Sequence, residues 1–381
     1  YWYESLSTDS KIIEPYQNLQ LKVGNHKDRC QTLLGYGGDV NLTTLHSVDY
    51  FLQNKGEAPV VKKNILHFDI EVYTYKNRIF PDPAQCQFPI NAISFRLNDD
   101  DDHTRMFLLK INNEIDPKID DIIKSKKYPN LTIFNDEYTL IRSFLVKMKE
   151  LDPDFICGWN TNSFDFPYLV GRMKKLSIEM KDLSPFGNVY ADTRGRVIAT
   201  GYVALDQLEL YKNLTYINLP SYKLDTVAEL ETGRKKVEYE GSLDKLYNVD
   251  IDKYIQYSMN DTDLLKAIED RVQHISLQDE LRQITTTSHN GANSTLGQAE
   301  GLFLTSMKKK GLIARNKTRT AEKEELPGAY VFDARGGLYE GLLCDFDFTS
   351  LYPSIINSWN IGPDTFIGKV SEDDAFKLIY T

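Results

Sequence analysis

The stretch Ile65-Leu66-His67-Phe68-Asp69-Ile70-Glu71-Val72 sets the fold of everything around it. The run is β-branched and aromatic, and in a strand successive side chains point to opposite faces. Leu66, Phe68, Ile70 and Val72 then share one face, while Asp69 and Glu71 stand side by side on the other. Two environments are open to that second face. It can meet water, as in a half-buried alternating strand, and the octet taken alone favours this. If it is covered instead, the carboxylates need a cation, because buried unpaired charge is very costly.

At 381 residues the chain is too long for one ordinary core, and two to three domains are expected. With 41% hydrophobic and 26% charged residues, the composition is that of a soluble globular protein. No apolar run is long enough to cross a bilayer and no signal-peptide pattern opens the chain, so a cytoplasmic protein without a membrane partner is expected. The cysteines Cys30, Cys86, Cys157 and Cys344 are scattered without a CxxC pair, which fits neither a zinc site nor a disulfide framework. The net charge of −10 argues against a protein that coats nucleic acid nonspecifically, so any nucleic acid is expected in a local cleft. The basic run Lys308–Lys310, with Arg315, Lys317 and Arg319, reads as a solvated helix end. A first residue of Tyr1 leads to the expectation that this is a piece cut from a longer protein.

From Asn64 onward the pattern is strand, hairpin and amphipathic helix. "INAISFRL" and "RMFLLKI" flank the acidic turn Asp99–Asp102. "EYTLIRSFLVKMKEL" has apolar residues at helical spacing, "FICGWN" is a short buried strand, and Pro167 opens a helix at Tyr168. "YVALDQLELY" reads as another strand, Leu224, Val227 and Ala228 as a helical face, and a long helix is expected from about Asp252 to His274. A new strand-like segment starts at Ala329. Strands alternating with helices imply an α/β domain over residues 63–272.

Two more acids sit awkwardly. Asp165 precedes Phe166-Pro167 and, alone, reads as an N-cap. Asp261 is followed at i+3, i+4 and i+7 by Leu264, Leu265 and Ile268, which places it on the buried stripe of a helix. Tyr257, one turn earlier, shares that face and its hydroxyl could hold a water. Clustered, Asp69, Glu71, Asp165 and Asp261 would hold two Mg²⁺-type ions, which want oxygen ligands.

In order, "FDIEV", "NTNSFD" and "YSMND" resemble the three exonuclease motifs of family B DNA polymerases. The resemblance implies an RNase H-like exonuclease domain in which Asp69, Glu71, Asp165 and Asp261 bind two Mg²⁺ (or Mn²⁺) ions and Tyr257 orients the attacking water. Single-stranded DNA would be held by Asn160 and Phe164 of the second motif and by Phe80 in the "RIFPDP" loop, where base stacking on an aromatic gives a sequence-tolerant grip. "DFTSLYPSII" is similar to the first palm motif of the same family, and "LPGAYVF", "FPDP" and "LYPSIINSWNIGPDT" resemble most the family members of T-even-type bacteriophages. That similarity implies a metal ligand at Asp347, a triphosphate cradle from the backbone of Ser350, Leu351 and Tyr352, and exclusion of a 2′-hydroxyl by Tyr352. Asp261-Thr262-Asp263 spells the core of the second palm motif, but lies upstream and inside a helix, so it is a decoy. The second palm motif itself and the fingers motif do not occur in the chain.

The expected organisation is a first N-terminal α+β segment (1–62), the exonuclease domain with a mixed sheet (63–272), a return segment packing on the N-terminal domain (273–325) and a partial palm (326–381). The expected partners are single-stranded and primer–template DNA, with dNTP, and a sliding clamp, met only by the longer parent. Two competing readings are a free-standing exonuclease acting on RNA and a non-catalytic nucleic-acid-binding scaffold with the same fold.

Overall fold

A computed structural model describes residues 40, 42–54, 56, 62–75, 80–99, 104–111, 115–191, 196–215, 217–313, 330–362, 365 and 374. These fall into two units, Tyr1–Thr318 and Arg319–Thr381.

In the first unit, helix α1 (Leu42–Gln53) precedes strands β1 (Ile65–Val72), β2 (Ile90–Leu97) and β3 (Arg105–Leu109). Next come α2 (Asp116–Ser125), β4 (Leu131–Phe134), α3 (Glu137–Leu151), β5 (Phe155–Gly158) and α4 (Asp165–Lys175). A small ribbon, β6 (Val189–Ala191) with β7 (Val197–Ala199), leads to β8 (Val203–Asp206). The helices α5 (Gln207–Leu214), α6 (Leu224–Thr232), α7 (Leu243–Val249), α8 (Ile251–Val272), α9 (His274–Ile284), α10 (His289–Ala292) and α11 (Thr295–Lys309) follow among the described residues.

Six strands form one sheet in the order β4-β3-β2-β1-β5-β8. β1 pairs antiparallel with β2 and parallel with β5, so it lies near the middle. Only β2 runs against the others, since β2–β3 is antiparallel while β3–β4 and β5–β8 are parallel. The fold class is therefore α/β with a mixed sheet, the arrangement of an RNase H-like domain.

Both faces of β1 are covered. Leu66, Phe68 and Ile70 pack against Leu140, Ile141 and Phe144 of α3 and Phe166 and Leu169 of α4. The opposite face lies under α8: Ser94 of β2 donates to the Ser258 carbonyl at 2.9 Å and touches the Thr262 hydroxyl at 2.6 Å. Tyr254 and Ile255 of the same helix join a cluster with Ala92, Met106 and Leu108. Asp69 and Glu71 thus lie half-buried on a face covered by α8 rather than on an open face of the sheet.

Several local expectations need correction. The run "YVALDQLELY" is half strand and half helix, because the buried Asp206 side chain accepts the N–H groups of Leu208 and Glu209 and caps α5. Asp165 is the first residue of α4 rather than its cap, and that helix starts ahead of Pro167, which occupies its first turn as proline can. The long helix stops at Val272, because Gln273 takes a left-handed conformation (φ 53°) and starts α9. Asp99 pairs with Lys62 at 2.7 Å, while Asp100–Asp102 lie outside the described residues. Lys308, expected in solvent, forms an ion pair with Asp49 of α1, where Val40, Leu45 and Val48 also pack on Leu304 of α11.

The second unit holds helix α12 (Leu351–Ser358), preceded by Ser350 at φ 53°. No strand occurs among its described residues, contrary to the strand-like segment expected from Ala329 and to the separate expectation that Asp347 ends a strand; an extended segment with no paired neighbour leaves its backbone hydrogen bonds incomplete.

Candidate active site

The pleat of β1 aims Asp69 and Glu71 at α8, and the helical stripe of α8 returns Asp261 toward them. One carboxylate oxygen from each of Asp69, Glu71 and Asp261 lies within 4.8 Å of the others. Asp69 and Glu71 are half-buried, and Asp261 is buried. Asp165 is also buried and interacts with Asp69, but it stands outside that group of three.

Acids crowded in a low-dielectric setting resist ionisation. Burial and the nearby Asp261 push Asp69 up to about 7, with Lys236 opposing. Burial and then Asp69 push Glu71 and Asp165 well above the usual carboxylate range. Asp261 is raised by burial, against the pull of Lys236 and the Tyr257 hydroxyl. The Lys236 ammonium sits 2.5 Å from Asp261 Oδ2 and 3.2 Å from the Tyr257 hydroxyl. Burial lowers this lysine, but Asp261, Asp69 and Glu71 outweigh it and hold it charged. His67, on the same face of β1, adds no charge, because burial, Lys266 and Arg96 push it down to about 3.

One ammonium cannot balance so many carboxylates, and Asp261 Oδ1 is buried without a hydrogen-bond partner. An orphaned anionic oxygen beside other carboxylate oxygens fits a hard divalent cation such as Mg²⁺ or Mn²⁺, and the absence of sulfur and imidazole from the set disfavours zinc.

Asp165 is delivered by the loop between β5 and α4. Gly158 opens this loop at a point where a Cβ would stand 2.8 Å from the Phe68 carbonyl and 2.2 Å from Thr161 Oγ1. Asn160 follows in a left-handed conformation (φ 67°), and the Phe166 N–H closes the loop on the Thr161 carbonyl at 3.1 Å. An aromatic ladder leads outward: Tyr168 stacks on Phe164 with centroids 5.5 Å apart, and Phe164 meets Phe80 at 5.4 Å. Phe80 itself is 77% exposed.

Residues 38–227 match the family described as DNA polymerase family B, exonuclease domain, and residues 290–379 match DNA polymerase family B. The chain belongs to the family B DNA polymerases. The DNA-directed DNA polymerase of Enterobacteria phage T4 is 28% identical over 328 residues, 80% of this chain and 36% of its own length. That of Escherichia phage RB69 is 29% identical over 334 residues, 81% of this chain and 36% of its own. A DNA polymerase of Archaeoglobus fulgidus is 31% identical over 260 residues, 66% of this chain and 32% of its own. The chain thus spans about a third of the length of these family B relatives.

Within this family B chain the carboxylates of the first and third motifs come together, with Asp165 of the second beside them. The palm-motif residues Asp347, Ser350, Leu351 and Tyr352 lie in the second unit, where all are exposed. Asp263 of the decoy finds a structural partner instead: Arg96 and Thr104 each bond it at 2.5 Å. Sequence reasoning missed Lys236 and Asp206. Lys236 sits in the charged run "GRKKVEYEG", whose polarity carries no sign of burial, and Asp206 sits inside a run that reads as a strand.

Proposed function

We propose that the first unit is a metal-dependent 3′→5′ exonuclease acting on single-stranded DNA ends, the proofreading part of a DNA-directed DNA polymerase. The observation that carries this reading is the meeting of Asp69, Glu71 and Asp261 with an orphaned oxygen on Asp261. These three, with Asp165, would hold two Mg²⁺ or Mn²⁺ ions. When bound, such ions lower the pKa of a bound water and stabilise a leaving oxygen.

The chain's own groups do the rest. Burial and the nearby acids push the Tyr257 hydroxyl far above its ordinary range, so it keeps its proton at neutral pH and can orient a water beside Asp261. Lys236 places a fixed positive charge where a phosphate must approach the acids. Phe80 and Phe164 offer ring faces on which terminal bases stack, and Asn160 borders the same loop. In the longer protein, Asp347, with Ser350, Leu351 and Tyr352 at the start of α12, would serve nucleotide addition on primer–template DNA with dNTP, and a sliding clamp would bind outside this chain. The division at residues 62, 272 and 325 belongs to the same proposal, as does a cytoplasmic location. Among the described residues no helix is long and apolar enough to cross a membrane.

Digestion of a 3′-labelled oligonucleotide tests the reading. Shortening from the 3′ end is expected with Mg²⁺, to stop with chelator, and to be faster on single-stranded than on paired ends and on deoxyribose than on ribose. Chelator-resistant digestion, or none at all, overturns it.

A further inference from the structure

The loop that delivers Asp165 is held by a carboxylate outside the metal-type cluster. Asp206 ends β8, directly beside Gly158 in the β5–β8 register, and is only 3% exposed. Its Oδ1 accepts the Asn160 N–H at 3.1 Å and, from its own helix, those of Leu208 at 3.0 Å and Glu209 at 3.3 Å. Oδ2 accepts the Asn162 N–H at 3.0 Å, while the Asn162 side chain donates to Glu209 Oε2, also at 3.0 Å. A single side chain therefore ties the Gly158–Asp165 loop to α5 through both of its oxygens. A helix cap alone needs one oxygen, and threonine, serine or asparagine serves as well. What calls for two acceptors is the loop.

We propose that Asp206 is a positioning residue of the exonuclease site, fixing the backbone at Asn160 and Asn162 so that Asp165 stands at the distance from Asp69 that shared cation binding requires. The inference rests on the reading of Asp165 as a metal-binding group. Asp206 touches neither substrate nor cation. Its loss loosens the loop, and the entropy of reordering it then opposes cation binding at every turnover.

Two substitutions separate this role from capping. Asp206→Ser keeps an acceptor for the α5 N–H groups but is too short for the loop. Asp206→Asn keeps the Oδ1 acceptor for Asn160 and α5 and turns an amide toward the Asn162 N–H. The readouts are kcat and KM on a single-stranded oligonucleotide, the Mn²⁺ concentration giving half-maximal rate, and the melting temperature. With Asp206→Ser, kcat is expected to fall about 10-fold or more and the Mn²⁺ requirement to rise by a similar factor, as for lost outer support of a metal site. KM should stay within about twofold, and melting should change little because the cap remains. Asp206→Asn should fall between the wild type and the serine variant. Should the serine variant not fold, the asparagine variant decides by the same readouts. An unchanged Mn²⁺ requirement, whatever happens to the melting temperature, overturns the positioning role. Asp165→Ala, run in parallel, separates the two layers: activity retained there overturns the site reading itself, whereas an inactive Asp165→Ala beside an unimpaired Asp206 pair overturns only the present inference.

Discussion

Two of the groups of buried charge among the described residues of the first unit behave in opposite ways. Around Asp279 of α9, Arg282 Nε and Gln283 Nε2 each stand at 2.8 Å, with His289 at 3.8 Å and Lys63 at 4.0 Å. Burial would raise this carboxyl, but Arg282, Gln283 and Lys63 outweigh it and hold it below the usual range. Asp69 is half-buried, yet it faces Asp261, and burial with that neighbour pushes it up to about 7. Burial is common to both, so burial does not mark the site. The mark is a shortage of partners, since a satisfied buried charge is part of the scaffold and an unsatisfied one waits for something else.

The contrast breaks most visibly under alanine substitution. Asp69→Ala or Asp261→Ala should lower single-turnover exonuclease rates on the order of 10³-fold; Asp69→Ala relieves like-charge repulsion and leaves the fold intact, whereas Asp261→Ala also deprives Lys236 of its partner at 2.5 Å. Asp279→Ala should do the reverse, costing about 3 kcal/mol in urea unfolding because Arg282 loses its partner, with the rate per folded molecule unchanged. If Asp69→Ala stays within tenfold of wild type, the functional side of the contrast is lost.

Acidity offers the next test, and its sign differs between the groups. The folded value of Asp69, about 7, lies above its ordinary 3.8, so its contribution to the metal-free fold is complete below the ordinary value and disappears as pH rises through about 7. For Asp279, lowered in the fold, the contribution is present above 3.8 and is lost as pH falls through its lower folded value. Metal-free protein should therefore melt a few degrees lower at about pH 8 than at about pH 5.5. Mn²⁺ should recover more at the higher pH, and Asp69→Ala should flatten the slope where Asp279→Ala does not. Calorimetry showing equal slopes in all three proteins would remove the distinction.

A finer cut lies within the site. Tyr257→Phe removes a hydroxyl and no carboxylate, so a loss of about 10–100-fold is expected, smaller than for Asp261→Ala, with Mn²⁺ binding by calorimetry retained. Lys236→Met withdraws a cation that opposes the rise of Asp261 and Asp69, and the acid limb of the pH–rate profile should move to higher pH. The smallest effect on kcat belongs to Phe80→Ala. Its ring is exposed, so melting should barely change while oligonucleotide binding weakens by about 1–3 kcal/mol. A large fall in melting temperature would make Phe80 a packing residue.

Legibility in the sequence followed the same division. The α3 helix was plain, Glu137 to Leu151, because its apolar stripe repeats at one period throughout. Asp69, Glu71 and Asp261 were visible as acids set in apolar surroundings. Lys236 was hidden, because a lysine among charged neighbours looks solvated until α8 is seen to lie beside it. Asp206 was hidden for another reason. Its two roles, ending a strand and starting a helix, fall in one residue, and the apolar spacing runs across the junction without a Gly or Pro to mark it. The second unit gave its motif as a string, but its expected strand depends on neighbours that periodicity cannot supply.

Gly158 has a consequence best put in terms of heredity. A side chain there would collide with the Phe68 carbonyl on one side and Thr161 on the other. Phe68 precedes Asp69, and Thr161 leads to Asp165, so the strain is passed to both acids at once. Every missense change of a glycine codon adds at least a Cβ. On the proofreading reading, any such change at codon 158 weakens editing while leaving the palm motif untouched. Gly158→Ala is therefore expected to slow digestion of a single-stranded 3′ end by disturbing Asp69 and Asp165 together, where a change touching one acid alone disturbs one.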